Sequence, residues 1–572
     1  MMQRKTTYQY TVLACFLAAA VFAISCKKHL VSLNENPNGA NPSTTNPSFV
    51  LSTVLTETGR AYVDLGFNDI AGVMQHTQKD GWVGTHNEYD WGGSNSWSGY
   101  YDILRNNQLV YEKAVESGLE LHQGVSLVMK SMLFGLITDL WGDAPYTHAL
   151  KGDKEGDDNA RPPLDPQETI YMGILADLEK ANDLLSKPKN QYTGPIDAVD
   201  VYYQGEPSKW RKMANSLALR YYMRLAEKLP AVAKAGIEKI AASPDKYPII
   251  TSASEDAAMP FVGTSDADSW PTNSTYDRDN GSRYRRIKMC NTLVKSLQAL
   301  NDPRLGVWAR KVECFLLVDP SKPTGTGTIY KAVDTIVAGE PRKVRYISPD
   351  VLAAKGLTLA DINQDVNYVG IPPALVGPAV YNLSNDAAQA STNTHVSWLS
   401  GIYAEPKGPL LKARLISAAE VHFILAEAAG VKGWAAGNAE AHYKAGIQAS
   451  FTAWGVADKY NAYVNSPAVA FKNTQQQIIE QKWIAAWSAA TEAWFDYKRT
   501  GFPVLTAGPN AKAPAVPVRF YYMLDERNLN KANIDAAAAK LETTGFSSFG
   551  ANGPQNSPWS KPWVLQGTGK PW

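Results

Sequence analysis

Cysteine is almost missing from this chain, with four in 572 residues. That excludes a disulfide-dense secreted scaffold, and no Cys/His cluster with zinc spacing occurs. Histidine is scarce as well, with eight copies and no HExxH pair. Neither sign of charge dominates: 56 Lys and Arg stand against 55 Asp and Glu, a formal net charge of +1. Nothing in the bulk electrostatics therefore calls for nucleic acid. There is no Gly-x-Ser-x-Gly elbow. Beyond the N-terminal leader no apolar run reads as long enough to cross a bilayer, so the body is expected to be soluble.

The leader itself is informative. Arg4 and Lys5 precede an apolar stretch over 11–24, which ends in Ala23-Ile24-Ser25-Cys26. A charged start, a short greasy run and small residues at the cut make a secretory signal over 1–25. The run falls short of the roughly 20 apolar residues of a membrane span. Cys26 after a small residue resembles the bacterial lipobox, which implies lipidation of its thiol and attachment to a membrane. The other reading is an ordinary signal in which Cys26 is incidental. Residues 26–47 are rich in Asn, Pro, Ser and Thr and read as a tether. Cys15 leaves with the leader, so Cys290 and Cys314 alone remain in the body, as one disulfide or as two buried thiols.

Aromatics are plentiful in a particular way. There are 16 Trp and 28 Tyr against 15 Phe, an excess of rings with a polar handle that suits half-wet surfaces. Three-and-four spacing of apolar residues predicts helices over 124–140, 166–185, 207–228, 286–300, 415–429, 439–454 and 475–498. The best strand signal is short, over 343–347. Long Gly- and Pro-rich segments at 80–100, 142–165, 260–285 and 317–405 hold much of the Trp and Tyr, and loops of that length are functional or disordered. Ala439, Tyr443 and Gly446 give small, aromatic, small at spacings of four and three, as in the second helix of a tetratricopeptide unit. The expected fold is all-α: a tetratricopeptide-like helical scaffold over 48–572, one domain with inserted loops at 80–100, 260–285 and 317–405.

Sugar binding needs flat apolar faces against C–H groups and polar groups at the hydroxyl rim. Trp82, Tyr89, Trp91 and Asn95 supply both in a Gly-rich frame; Trp270, Asn273, Tyr276 and Arg283 do so in the next loop, and Trp398 with Tyr403 in a third. The alternative is that these rings pin their loops to the scaffold. Trp483, Trp487 and Trp494 share a helix face and read as core. Glu492 and Asp496, four apart, face Lys498 and Arg499 and are expected to pair; as a hydrolase's acid and base they would need a cleft. Asp361-Ile362-Asn363-Gln364-Asp365 starts like a calcium loop but has Val366 where glycine is required. No metal and no cofactor is implied.

Several segments, in order, resemble the SusD/RagB family of outer-membrane nutrient-binding lipoproteins. They are Thr138-Asp139-Leu140-Trp141-Gly142-Asp143-Ala144-Pro145-Tyr146; Asp200-Val201-Tyr202-Tyr203-Gln204-Gly205 with Trp210 and Asn215-Ser216-Leu217-Ala218-Leu219-Arg220; and Asn301-Asp302-Pro303-Arg304-Leu305. Ser417-Ala418-Ala419-Glu420, Gln481-Lys482-Trp483 and Trp494-Phe495-Asp496-Tyr497-Lys498-Arg499-Thr500-Gly501-Phe502-Pro503 complete the series. The resemblance implies a tetratricopeptide-like fold at the outer membrane, facing the cell exterior. It also implies a partner, a SusC-like TonB-dependent transporter for which this protein is the lid, capturing oligosaccharide or alternatively peptide. Such relatives bind without catalysing. Lys27, Lys28 and His29 depart from the acidic residues some relatives carry after the cysteine. The rival reading is a secreted glycoside hydrolase; a third is a purely structural scaffold, which requires Trp82, Tyr89, Trp91, Trp270 and Tyr276 all to be buried.

Overall fold

Local chemistry marks where the helices begin and end. The computed structural model describes residues 45–572 apart from Ser94, Asn280, 323–328 and 385–392. The leader, Cys26 and the tether up to residue 44 lie outside the described residues. Helix α1 (Pro47–Asp64) starts on a proline whose missing N–H would have been unpaired anyway, and the Asn46 side chain accepts the Ser48 N–H. The other long helices are α2 (Ser98–Glu116), α3 (Glu120–Trp141), α4 (Gln167–Leu184), α5 (Pro207–Arg224), α6 (Pro230–Ala242), α7 (Asn291–Ala299), α8 (Ala418–Ala426), α9 (Ala439–Ala453), α10 (Gln475–Ala485) and α11 (Ala490–Thr500). Ser417, Asn438 and Thr474 cap α8, α9 and α10, each accepting a first-turn N–H. Gly501, at φ +78°, closes α11 in the left-handed region that glycine favours.

Three predicted helices need correction. Residues 286–300 begin as strand β3 (Ile287–Met289) and only then become α7. Residues 415–429 open with the end of a strand, because the Ser417 cap cannot lie inside a helix. The 475–498 segment is two helices, broken where Ser488 adopts φ +70°. Helix α3 is also long and apolar enough to cross a membrane, contrary to expectation, but 94% of its apolar 18-residue stretch is buried within this protein. Its apolar length serves a core.

Helices pair by letting a glycine meet a ring. A Cβ on Gly446 of α9 would lie 3.0 Å from the Phe423 ring of α8; one on Gly135 of α3 would lie 2.0 Å from the Tyr221 hydroxyl of α5. Gly236 of α6 faces Tyr222, and Gly173 of α4 faces Tyr146, just as closely. Tyr443 is fully buried beside Phe423, edge-on at 6.2 Å. Small-against-aromatic packing of the kind the α9 spacing predicts joins three helix pairs, with a fourth such contact from α4 to the loop at Tyr146, and the scaffold is tetratricopeptide-like.

A buried charge network ties the N-terminal helices to the C-terminal ones. Arg220 of α5 forks onto Glu420 of α8 at 2.7 Å twice, and reaches Glu492 of α11 at 3.4 Å. Arg224, one turn on, bonds Glu492 at 2.8 Å and Asp139 of α3 at 3.2 Å. Asp496 takes Lys482 of α10 at 2.8 Å and Arg499 at 2.9 Å, and Arg499 forks onto Glu427. All of these side chains are almost wholly removed from solvent. Such pairs add little against an apolar substitute, but removing one partner strands the other.

The family-like motifs have equally structural reasons. The Asp200 carboxylate accepts the N–H groups of Tyr202, Tyr203 and Gly205 and the indole N–H of Trp210. Asn215 donates to Asn182 and to the Pro248 carbonyl, tying a loop to α4 and α5. Strands are few and short. Besides β3 they are β1 (Thr77–Lys79), β2 (Ala257–Pro260), β4 (Cys314–Val318), β5 (Val333–Val337), β6 (Glu340–Ile347) and β7 (Lys412–Ile416). β6, which contains the 343–347 signal, pairs parallel with β4 and antiparallel with β5. Apolar clusters on either side of this sheet, around Val344 and around Ile347, give the 317–405 segment its own small core. Cys290 and Cys314 are both buried and free, so the disulfide alternative is excluded.

Candidate functional site

Strand β3 gathers all three ring-bearing loops. It runs antiparallel to β1, with Lys79 opposite Ile287, and the Asp80 N–H donates to the Arg286 carbonyl. The 80–95 loop therefore leaves one strand where the 266–286 loop enters the other. On its far side β3 bridges Trp398, through Lys288 opposite Trp398 and the Met289 N–H to the Ser397 carbonyl. Lys288 is the keystone. Its Nζ lies 3.0 Å from the Asp80 carboxylate, with both side chains fully buried, and 4.0 Å from the centre of the Trp398 ring. Burial pulls the Lys288 ammonium below its ordinary pKa, and Asp80 opposes that.

The rings divide into two groups. Trp82 is 69% exposed, with the Arg286 guanidinium 5.3 Å from its ring centre. It holds φ +58°, an uncommon conformation for a bulky residue and of the sort that clusters at binding sites. Tyr276 is 36% exposed, its N–H held by Asn273 and its hydroxyl donating to the Gly263 carbonyl. Trp398 is half-buried, edge-on to Tyr284 at 6.0 Å, with Arg310 on its ring. Arg283 stays partly exposed, bonding Asp266 at 2.7 Å and the Pro271 carbonyl at 3.0 Å. Asn95 is half-buried beyond the Gly92-Gly93 turn.

Four expected ligand contacts are corrected. Trp91 packs edge-on against Phe520 at 4.8 Å and Trp494 at 5.8 Å and is buried, as is Tyr89. Trp270 has no exposed surface, lying edge-on to Phe67 at 4.9 Å and Phe261 at 5.5 Å. Asn273 is buried too, and acts by fixing Tyr276 and Asp266. A ring in a Gly-rich loop is still a large apolar surface, and these loops lie close enough to the core to bury it. Tyr403 of the third loop is likewise core, its hydroxyl accepting the Trp487 indole N–H. The split also contradicts the purely structural reading, since Trp82 and Tyr276 remain at the surface.

A search keyed on rings misses part of this face. Where α1 ends, Leu65–Asp69 widens into a π-helical turn, a feature frequent at functional sites. Asp64 at its start feels Arg283 and Asp266 of the second loop; Asp69 at its end feels Lys79, which in turn feels Arg286 beside Trp82. Burial raises the Asp69 carboxyl and lowers the Lys79 ammonium, and each opposes the other's shift. Arg286 thus puts a charged hydrogen-bonding group beside the exposed indole, and Lys79 and Asp69 continue the run of charge away from it. Their spacing along the chain carries no recognisable motif.

Glu492 and Asp496 do not form a hydrolytic pair. Burial alone would raise both carboxyls, but Arg220 and Arg224 outweigh it for Glu492, and Lys482 and Arg499 bring Asp496 down to about 2. The cavity they line holds about 30 Å³, room for water and not for a sugar ring. In the segment 361–365, the Asp361 carboxylate accepts from Thr358, and the side chains of Asn363 and Asp365 accept backbone N–H groups of their own turn.

Residues 40–322 and 332–523 match the model of a SusD-like family described as starch-binding and associating with the outer membrane. The chain belongs to the SusD-like family. Solved structures agree on the fold. A chitin-binding protein is 22% identical, with 91% of this chain and 100% of that one covered at a TM-score of 0.66. A SusD homolog from Bacteroides fragilis is 20% identical over 91% and 99%, TM-score 0.65. A chitin-binding SusD homolog from Flavobacterium johnsoniae is 21% identical over 91% and 98%, TM-score 0.64. No curated protein matches the chain. Family membership accounts for the ordered motifs and for the helix pairs, and the SusD-like family is described by binding rather than by a reaction.

Proposed function

We propose that this SusD-like protein captures oligosaccharide on the face built around β3 and passes it to a TonB-dependent transporter of the SusC type. One observation carries the reading: an indole 69% exposed, on one of three ring-bearing loops that are anchored at strand β3. Trp82 offers a flat apolar face with the Arg286 guanidinium on its ring; Lys79, Asp69 and Arg283 are the further donors and acceptors of the proposed face. Cys26 is the lipid anchor, the tether spans from membrane to body, residues 48–572 act as one body, and the protein faces the cell exterior as the transporter's lid. The lipobox-like Ala23-Ile24-Ser25-Cys26 supports the anchor, and the family's outer-membrane association supports the location. Several acyl chains on one cysteine hold far better than one, at about 0.8 kcal/mol per buried methylene.

Calorimetric titration of the soluble body against malto-oligosaccharides, chito-oligosaccharides and a peptide panel tests this. Saturable sugar binding that weakens at least tenfold in Trp82→Ala or Tyr276→Ala is expected, with product analysis showing the sugar intact. Equal affinity in both folded variants, binding confined to peptides, or cleavage of the bound glycan would each sink the reading.

A further inference from the structure

The C-terminal segment folds back onto the turn between α3 and α4. The Val564 N–H donates to the Gln167 side chain at 2.9 Å, and Glu542 and Lys561 exchange backbone hydrogen bonds. Gly142, at φ +96°, lets Pro562 in; a Cβ there would lie 3.2 Å from the proline ring. The fit is incomplete. A cavity of about 250 Å³ remains among Pro166, Leu541, Pro562 and the Trp563 ring. At about 30 Å³ of liquid volume per water it has room for roughly eight, enough for one sugar ring and too little for a chain. None of its residues belongs to the loops gathered on β3.

Its walls carry the chemistry a sugar needs. Trp563 is partly exposed, and the Lys228 ammonium stands 5.3 Å from its ring centre without lining the cavity. Among the described residues nothing accepts its indole N–H. Asp143 gives one carboxylate oxygen to the Gln167 N–H at 2.9 Å; the other has only the Lys540 ammonium, at a long 3.4 Å. Gln566 commits its amide N–H groups to the Lys540 and Lys561 carbonyls, which leaves its Oε1 as an acceptor. A carboxylate and an ammonium on one rim favour a neutral ligand over an ion of either sign, and a hydroxyl both gives and takes a hydrogen bond. We propose that this pocket binds a single neutral sugar residue, stacked on Trp563 with Asp143, Lys540 and the indole N–H at its hydroxyls. The site is separate from the β3 face and holds whether or not that face takes oligosaccharide.

Saturation-transfer NMR titration of the mature chain with methyl α-glucoside and with N-acetylglucosamine tests the assignment. It is repeated in Trp82→Ala to silence the β3 face. Saturable binding of at least one of the two sugars is expected in wild type and Trp82→Ala alike. Trp563→Ala should weaken it at least about fivefold. Lys540→Met should weaken it about threefold; that side chain is 58% exposed, so its loss leaves the packing alone and guards against a Trp563 variant that fails to fold. Three results overturn the site: no saturable binding by the folded wild type, full affinity in both pocket variants, or binding that vanishes in Trp82→Ala. Uptake of N-acetylprolinamide with neither sugar bound overturns it too, in favour of a peptide. Oligosaccharide titration of Trp82→Ala reports the β3 face separately.

Discussion

Helix α11 and the 80–95 loop contain much the same chemistry: tryptophan, tyrosine and acidic side chains crowded into a dozen or so residues. Their fates are opposite. Every residue of α11 is buried, its four charged side chains bound to partners on other helices or to the backbone. The loop buries Tyr89 and Trp91 and holds Trp82 out, with arginine beside it. Burial of charge is tolerated only where the partners arrive from elsewhere in the fold, and exposure of a large ring persists where the backbone holds it away from the core. Composition alone does not separate a structural cluster from a binding surface; position relative to the helix bundle does.

The comparison breaks first at its buried side. Glu492→Ala leaves Arg220 and Arg224 short of a carboxylate and is expected to cost about 3–5 kcal/mol in urea unfolding. Trp91→Ala, by opening a cavity against Phe520 and Trp494, should cost about the same. An effect below about 1 kcal/mol for either would mean that the cluster relaxes or rehydrates freely. Acid sharpens the picture. The Asp496 carboxyl lies below its unfolded value of about 4, so its contribution is fully present above that pH and is lost as pH falls through about 2. About 2 kcal/mol of stability should disappear between those limits, and Asp496→Asn should lose that part of the slope.

Smaller effects follow at the helix pairs and the surface. Gly135→Ala drives a methyl into the Tyr221 hydroxyl and should destabilise by about 1–3 kcal/mol, with Tyr221→Phe as a partial rescue. Trp82→Ala should change unfolding free energy by less than about 0.5 kcal/mol while weakening sugar binding. A stability loss as large as that of Trp91→Ala would move Trp82 from the binding face into the packing.

Much of the scaffold is legible in the sequence because helix periodicity, caps and prolines are local. Asn46-Pro47, Asn438 and Gly501-Phe502-Pro503 mark boundaries through bonds made within a few residues. The breaks at Ser417 and Ser488 escape because strand pairing and a single positive φ override a continuing apolar period. On the proposed binding face, Trp82, Tyr276, Trp398 and Arg283 emerge from ring and polar content, whereas Tyr89, Trp91, Trp270 and Asn273 look the same in sequence and are buried. Asp69, Lys79 and Arg286 carry no such label.

Sequence by itself determined the helical class, the order of the family's motifs and the small-aromatic-small face of α9, since each depends on spacing within one helix or on a recognisable string. Only the tertiary structure decided which rings face water, which carboxylates are neutralised, and that Trp563 and Asp143 line one pocket. Those outcomes depend on which distant segment arrives opposite: β3 beside both β1 and Trp398, Arg220 beside Glu420 and Glu492. Burial and pairing are properties of the assembled neighbourhood, and no residue carries its neighbourhood in its own name.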